Sequence, residues 1–259
     1  MKPFLFSLLV IAFATAIFSC KKDSSSSTPS VPLLQKTTSL SQGGVPASVT
    51  YTYDGNRLIK AVNQDNSYFT VEYSTNTVIE KDYNTNNQLT GSMVYSLNQQ
   101  GYAVSAIGSS SKSCYALLKD RMPITNTLKL SGSKSITFSY DADGYMTLMS
   151  TIDATGIVTL SFIVSNGNQV TTTIAYSGVN IIQNNQYLSD KVNTTGSQNM
   201  GMNFLGKQNR NLVGSVISTS NGNSILETFT YQYDSQGRPI VQTIMENGQL
   251  YRTNSYQYK

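Results

Sequence analysis

The sequence predicts an all-β fold, an antiparallel meander with little helix. Three observations carry that expectation. Side-chain character alternates every two residues in segment after segment, as in Val49, Tyr51 and Tyr53 against Ser48, Thr50 and Thr52. Asn-Gly and Asp-Gly pairs interrupt the alternating segments, and strand signals return every 8 to 14 residues or so. Large apolar area comes from 17 Tyr and 9 Phe with no Trp, residue types that favour pleated, half-buried surfaces. No long helical period competes.

The elements follow in chain order. Lys2 supplies a short positive start, and Phe4 to Phe18 form an apolar run broken only by small residues. Ile17-Phe18-Ser19-Cys20 then resembles a lipobox, the signal for lipid transfer to a cysteine and cleavage just before it. Two other readings compete. A plain signal peptide would be cut after a small-x-small pattern within Ala14 to Ser19. A retained anchor would need about 20 apolar residues, more than this run offers. The lipobox is preferred because the cysteine closes the apolar run and a polar tract begins at once. Residues 1–19 are thus expected to be removed and Cys20 to carry lipid. Lys21 does not resemble the aspartate that holds enterobacterial lipoproteins in the inner membrane. The outer membrane is therefore favoured, with the periplasmic or cell-surface face left open.

Residues 20–33 read as a tether. Ser24 to Ser27 keep it flexible, and Pro29 and Pro32 stop it from continuing as helix or central strand. The dozen residues after Cys20 reach at most about 40 Å at roughly 3.3–3.6 Å each. A single β domain is expected over 34–259. Phe69, Val71 and Tyr73, then Ile136, Phe138 and Tyr140, then Phe229, Tyr231 and Tyr233, and finally Tyr256 and Tyr258 repeat the alternation. Such faces mark half-buried antiparallel strands. Asn166-Gly167, Asn221-Gly222 and Asn247-Gly248 are hairpin signals because both residues tolerate positive φ, with Asp54-Gly55 and Asp143-Gly144 as close variants. Residues 112–121 suggest one short helix, and 186–211 a long loop with Gly196, Gly201 and Gly206.

Three turns share a plan: Tyr53-Asp54-Gly55-Asn56-Arg57-Leu58, Tyr140-Asp141-Ala142-Asp143-Gly144 and Tyr233-Asp234-Ser235-Gln236-Gly237-Arg238. A strand ends in a buried Tyr, Asp caps the turn through its carboxylate, and Gly supplies the left-handed position. These turns resemble the tyrosine-aspartate (YD) repeats of RHS-type wall proteins, Tyr-Asp, two residues, then Gly-Arg-Leu. Pro239 stands in place of Leu, the first turn is shorter, and Tyr145 stands where Arg is expected. Together with the lipobox and the segment Phe204 to Leu212, the chain resembles a Bacteroidota-type lipoprotein family of unknown function with a porin-like β fold. That resemblance implies a strongly curved or closed, barrel-like sheet and hands over no catalytic residues. The aromatic face is expected to turn inward and the outer surface to be polar.

Composition narrows the chemistry. Charged residues make up only 12% of the chain and the formal net charge is +4, with Lys and Arg scattered. No nucleic-acid-binding signature appears, so no nucleic-acid partner is expected. The absence of histidine removes the usual general base and metal ligand. Once Cys20 is acylated, Cys114 stands alone, without an intrachain disulfide partner, and is expected to be buried and inert. Gly201-Met202-Asn203-Phe204-Leu205-Gly206-Lys207 matches the start of a phosphate-binding loop, but Gln208 replaces the Ser or Thr needed for magnesium. Asp141-x-Asp143-Gly144 lacks the later ligands of a calcium loop and reads as a capped turn. No catalytic, cofactor or metal site is assigned.

The expected function is a non-enzymatic binding or structural module, tethered to a membrane through lipid, with a glycan or envelope protein as partner. The alternative is a carboxylate-dependent glycan hydrolase. That chemistry needs two acids about 5 Å or 6.5–9.5 Å apart. Its candidates are Glu72, Glu80, Asp82, Asp120, Glu227 and Glu246, expected mostly on solvated strand faces.

Overall fold

The computed structural model describes residues 31–109, 134–153 and 156–259. The proposed helix at 112–121, Cys114 and Asp120 lie outside the described residues, as do the lipobox and Cys20. Sixteen antiparallel strands close into one barrel in simple up-and-down order. They are β1 (Leu34–Ser41), β2 (Ala47–Asp54), β3 (Arg57–Asn63), β4 (Tyr68–Tyr73), β5 (Thr77–Tyr83), β6 (Leu89–Leu97), β7 (Ala103–Gly108) and β8 (Lys134–Tyr140). The second half comprises β9 (Met146–Asp153), β10 (Gly156–Ser165), β11 (Asn168–Tyr176), β12 (Val179–Val192), β13 (Asn211–Ser220), β14 (Asn223–Tyr233), β15 (Pro239–Glu246) and β16 (Gln249–Tyr258). The last strand closes on the first, with Thr37 opposite Tyr256 and Lys259 N–H donating to the Leu33 carbonyl at 2.9 Å. Closure leaves no sheet edge to be protected.

Alternation decides which side chains face inward. Residues directly opposite in the ladder share a face. One inner row runs Val71, Glu80, Met93, Gly108, Lys134, and another runs Val78, Tyr95, Ala106, Ile136, Thr151, Val158. Tyr95, Val78, Ala106 and Ile136 are fully buried, and Phe138 and Phe162 nearly so. The aromatic face therefore turns inward. Opposite parity places Ser92, Ser105, Thr137, Ser150 and Thr159 outside. Tyr68 and Tyr83, stacked with ring centroids 4.7 Å apart, depart from this by facing outward.

Turn chemistry sets the hairpins. Asn166-Gly167, Ser177-Gly178, Asn221-Gly222 and Asn247-Gly248 all have positive φ at both residues, the two-residue turn whose twist suits a hairpin. A second, five-residue turn recurs at 84–88, 98–102, 141–145 and 234–238. In each, the first residue's side-chain oxygen accepts the N–H four residues on: Asn84 from Gln88, Asn98 from Tyr102, Asp141 from Tyr145 and Asp234 from Arg238. The fourth residue has positive φ in every case (Asn87, Gly101, Gly144 and Gly237). The ladder register shifts beside each turn, as expected when a left-handed residue closes a three-residue loop with a bulge. Asp141 and Asp234 thus cap their turns as read from sequence, and Asp143 is an ordinary loop residue. The Asn84 and Asn98 turns are the same device in amide form.

The expected loop over 186–211 is shorter than read. β12 continues to Val192, paired with β13 through two register shifts, and the loop is confined to 193–210. The strand was hidden because Gln, Asn and Ser occupy both faces of residues 183–190, which erases the period-two contrast. The 193–210 loop folds across one end of the barrel as a plug. Its Asn199 carbonyl accepts from Leu34 N–H at 2.8 Å and its Gly201 carbonyl from Leu58 N–H at 3.3 Å. On the opposite side Lys207 N–H donates to Gly144 and Arg210 N–H to Gly167, at 2.8 and 2.9 Å. The Gln208 side chain knits the loop internally, its Oε1 accepting from Gln198 N–H while its Nε2 donates to the Asn193 carbonyl and Asn199 Oδ1.

Met200, Met202, Phe204 and Leu205 turn inward from the plug into the core. Phe204 packs edge-on against Tyr95 and Tyr73, with centroid separations of 5.0 and 6.2 Å. Its burial contributes about 1.5–3 kcal/mol, which offsets the entropy of ordering one or two residues. The phosphate-loop-like segment lies within this plug. Only a three-residue 3-10 turn, Asn203–Leu205, occurs there, so no helix presents amides to a phosphate.

Gly201 is one of the tight points of the plug, and the one pressed against strand backbone. It has φ +72°, and a Cβ there would lie 2.7 Å from Leu58 N and 2.9 Å from Asn56 O. Gly237 also has positive φ, +74°, but nothing lies within 4 Å of a Cβ. Gly201→Ala is therefore expected to destabilise the barrel by about 3 kcal/mol or more, and Gly237→Ala by only about 1 kcal/mol. Chemical unfolding of the two variants checks this, and equal losses would mean that the plug is not clamped at Gly201.

Candidate functional site

The inner wall is not uniform. From β3 to β11 its residues are almost wholly buried, whereas on β13 to β16, β1 and β2 many inward side chains are only half-buried. That second stretch carries hydroxyls and amides. Gln242 Oε1 accepts from both Asn254 Nδ2 at 2.7 Å and Tyr256 OH at 2.9 Å. Gln242 Nε2 donates to Tyr231 OH at 3.0 Å, and Tyr231 OH donates to the Val213 carbonyl at 2.9 Å. Further round, Thr37 Oγ1 and Tyr51 OH lie 3.0 Å apart. The strands supply the parity and the closed ladder the curvature, so these groups converge across one concave face. Aromatic rings with planar amides and hydroxyls suit a polar ligand with flat apolar faces.

An acid pair lies on the same wall, nearer the end opposite the plug. Glu227 on β14 and Glu246 on β15 are direct cross-strand partners, flanked in the next inner row by Phe229, Ile244 and Arg252. Like charges placed directly opposite repel. Glu227 is 2% exposed, and its Oε2 is buried without a hydrogen-bond partner. Burial first, and the Glu246 charge second, push its carboxyl up to about 7 against the opposing pull of Arg252. Two strands away Gln183, fully buried, donates from Nε2 to Ser218 Oγ at 3.1 Å while its Oε1 has no partner.

The sequence-derived acids separate into three groups. Glu72 faces outward and pairs with Lys81 at 2.6 Å on the surface, where such a pair adds little stability. Glu80 and Asp82 are buried on the inner face of β5, across Met93 and Gly108 from Lys134 in the Glu80 row. Glu227 and Glu246 form the pair just described. The expectation of solvated faces therefore fails for Glu80, Asp82 and Glu227, each less than 4% exposed. Parity was the missed signal. Glu80 stands two residues from Val78, and Glu227 two before Phe229, so alternation alone turns both inward. Gln183, Gln242 and Arg252 were not singled out from sequence, although Gln242 stands two before Ile244 by the same rule. Among the described residues no group of three or more Cys, Asp or Glu could hold a metal ion.

The Glu227 shift fixes a pH dependence. Its folded pKa lies above the unfolded one, so the native state keeps a proton that the unfolded chain releases between about pH 4.5 and 7. The stability associated with neutral Glu227 is complete below that window and is lost as pH rises through it. Glu227→Gln, permanently neutral, should match the parent at pH 4 and exceed it at pH 8 by on the order of 3 kcal/mol. Denaturant titrations at the two pH values measure the difference; a constant gap at both would contradict the assignment.

No family model and no curated protein matches the sequence. Among solved structures, the chain is similar to a porin-like protein from Bacteroides uniformis, with a TM-score of 0.63 and 16% identity. The similarity covers 87% of this chain and 98% of that one. At that identity the shared property is the fold: this chain has a porin-like, closed β-barrel architecture.

Proposed function

We propose that this protein is a lipid-anchored, extracytoplasmic barrel at the outer membrane, acting as a non-enzymatic binding or structural module rather than as a pore. The supporting observation is the orientation of the wall. Most Tyr and Phe turn inward, Ser and Thr share the outer face with exposed apolar residues such as Val94, Ile107, Ile152, Ile157 and Ile163, and residues 193–210 fill one end. A lipid-spanning barrel carries a continuous apolar band and aromatic girdles outside and a polar interior. Cys20 supplies the membrane attachment, and β1 begins beside the plug after a tether of about 40 Å at full extension. The half-buried inner wall is the binding surface of this reading, with a glycan or envelope component as its ligand.

A hydrolase is the second reading, favoured by one feature. Glu227, whose carboxyl burial pushes up to about 7, faces Glu246 across a single strand spacing, and a pair of close carboxyls is what a glycosidase needs. Against it, Glu227 is shielded from solvent and leaves no approach for an attacking water.

Two measurements test the proposal. Intact mass of the mature protein should show a chain beginning at an acylated Cys20; any other first residue would remove the anchor. A mature chain with Cys20→Ser should be soluble, monodisperse and β-rich without detergent. Obligatory detergent together with conductance in planar bilayers would make it a pore. Glycan turnover abolished by Glu227→Gln would establish the hydrolase instead.

A further inference from the structure

The chain enters the barrel at a fixed point of the plugged end. Asn199 holds it there: its Nδ2 donates to the Pro32 carbonyl at 2.7 Å, and its own carbonyl accepts from Leu34 N–H at 2.8 Å. Lys259 N–H closes on the Leu33 carbonyl beside it. An attachment that precedes residue 31 therefore pulls on the seam between β16 and β1. The rim around that seam is the part of the barrel that a tether of at most about 40 Å brings closest to its membrane.

The rim at the seam is basic. Arg57 stands in the β2–β3 turn, Arg238 in the β14–β15 turn, Lys191 at the end of β12 and Arg210 at the foot of the plug. Lys36 lies opposite Gln257 on the outer face of β1, and Lys259 follows β16. Lys191 and Arg238 pair with Asp190 and Asp234 at 2.9 and 2.7 Å. Among the described residues the other four cations make no ion pair, and the remaining acid of this sector is Asp54, opposite Arg57 in the ladder. The other acids of the plugged end lie away from the seam: Glu72, bonded to Lys81, and Asp141 and Asp143 in the β8–β9 turn near Lys207.

The same rim carries tyrosine rings beneath its cations. Arg238 lies 4.5 Å over Tyr258, Arg57 5.3 Å over Tyr73, Lys191 5.4 Å over Tyr233 and Lys207 5.5 Å over Tyr145. All four rings are half-buried. Val192, next to Lys191, and Val31, just before the Asn199 clamp, are 65% and 46% exposed. Cations over amphipathic rings, with apolar side chains beside them, match the layers of a lipid headgroup region. Phosphate takes the cation, the ring lies at headgroup depth, and valine reaches the acyl boundary.

From this match we propose that the seam side of the plugged rim docks on the phosphate-bearing headgroups of an anionic membrane. The barrel then stands with its plug toward the bilayer and the turns of its opposite end directed away. The inference goes beyond the module reading and rests on it for the anchor. Lipid on Cys20 supplies residence at the membrane, and Lys36, Arg57, Arg210 and Lys259 supply orientation. Each cation close to an anionic surface strengthens binding about fivefold.

The test uses the mature chain with Cys20→Ser, so that lipid does not hide the contribution of the rim. It is sedimented with vesicles of phosphatidylcholine alone and of phosphatidylcholine mixed two to one with phosphatidylglycerol. At about 0.1 M salt, where charges more than about 10 Å from the surface are screened, it should bind the anionic vesicles at least about tenfold more tightly. Arg57→Gln with Arg210→Gln should weaken that binding at least about tenfold, whereas Lys60→Gln with Lys81→Gln, the same charge loss on the outer wall, should change it less than about twofold. Circular dichroism checks that each variant keeps its sheet. Equal binding to both kinds of vesicle, or binding to neither, would overturn the rim assignment and leave the lipid anchor standing. Equal losses in the two double variants would trace the attraction to net charge and overturn the orientation. An intact mass without lipid would overturn the anchor alone, because the rim is measured without it. A detergent-dependent, conducting protein would overturn both.

Discussion

The closed backbone ladder is the constraint on which the rest of the molecule depends. Once β16 pairs with β1, every strand has one neighbour on each side and every side chain is committed to one of two faces. A slip of one residue anywhere would send a whole inner row outside. The bulges beside the five-residue turns are therefore part of the specification. They absorb the extra residue at the hairpin end, so that Tyr140 and Tyr233 stay on the inner side while the ladder beyond keeps its register.

Much of this was legible because it is local. Alternation named the inner aromatics correctly, and the Asn-Gly and Asp-Gly pairs fell at turns, since positive φ is a demand that few residues meet. The parts that failed were those where local contrast vanishes or where closure decides. β12 reads as loop because polar residues fill both its faces, yet it is held by ladders to β11 and β13 and by Tyr187 OH donating to the Gln169 carbonyl. The inward acids defy a reading by charge, because parity and not charge decides which face a strand residue takes. In a barrel with a wide interior the wall tolerates polar groups inside, so parity wins.

The inner wall and the plug are complementary halves of one arrangement. A sixteen-stranded wall encloses more volume than its own side chains fill. Here Met200, Met202, Phe204 and Leu205 come in from the plug and complete the core, against which half-buried Tyr51, Tyr53, Tyr256 and Tyr258 also pack. The second, smaller apolar cluster, Val216, Phe229 and Ile244, lies on β13 to β15, with Val216 directly opposite Glu227. Packing and accessibility are thus divided around the circumference of a single sheet, with no separate domain needed for the site.

The pairing of β1 with β16 also sets the order of events during synthesis. Leu34, at the start of the sheet, is matched to Tyr258, and the Tyr53 hydroxyl reaches back to the Leu34 carbonyl. The first strand made must wait for the last, across a sequence separation of more than two hundred residues, which is the slowest kind of contact to form. Until then the nascent sheet carries two open edges that can capture any passing strand. A chain threaded across a membrane from its N-terminus would meet that hazard for the whole of its transit. A shortened chain would accordingly carry an unclosed seam, with both of its edges left to pair with other strands.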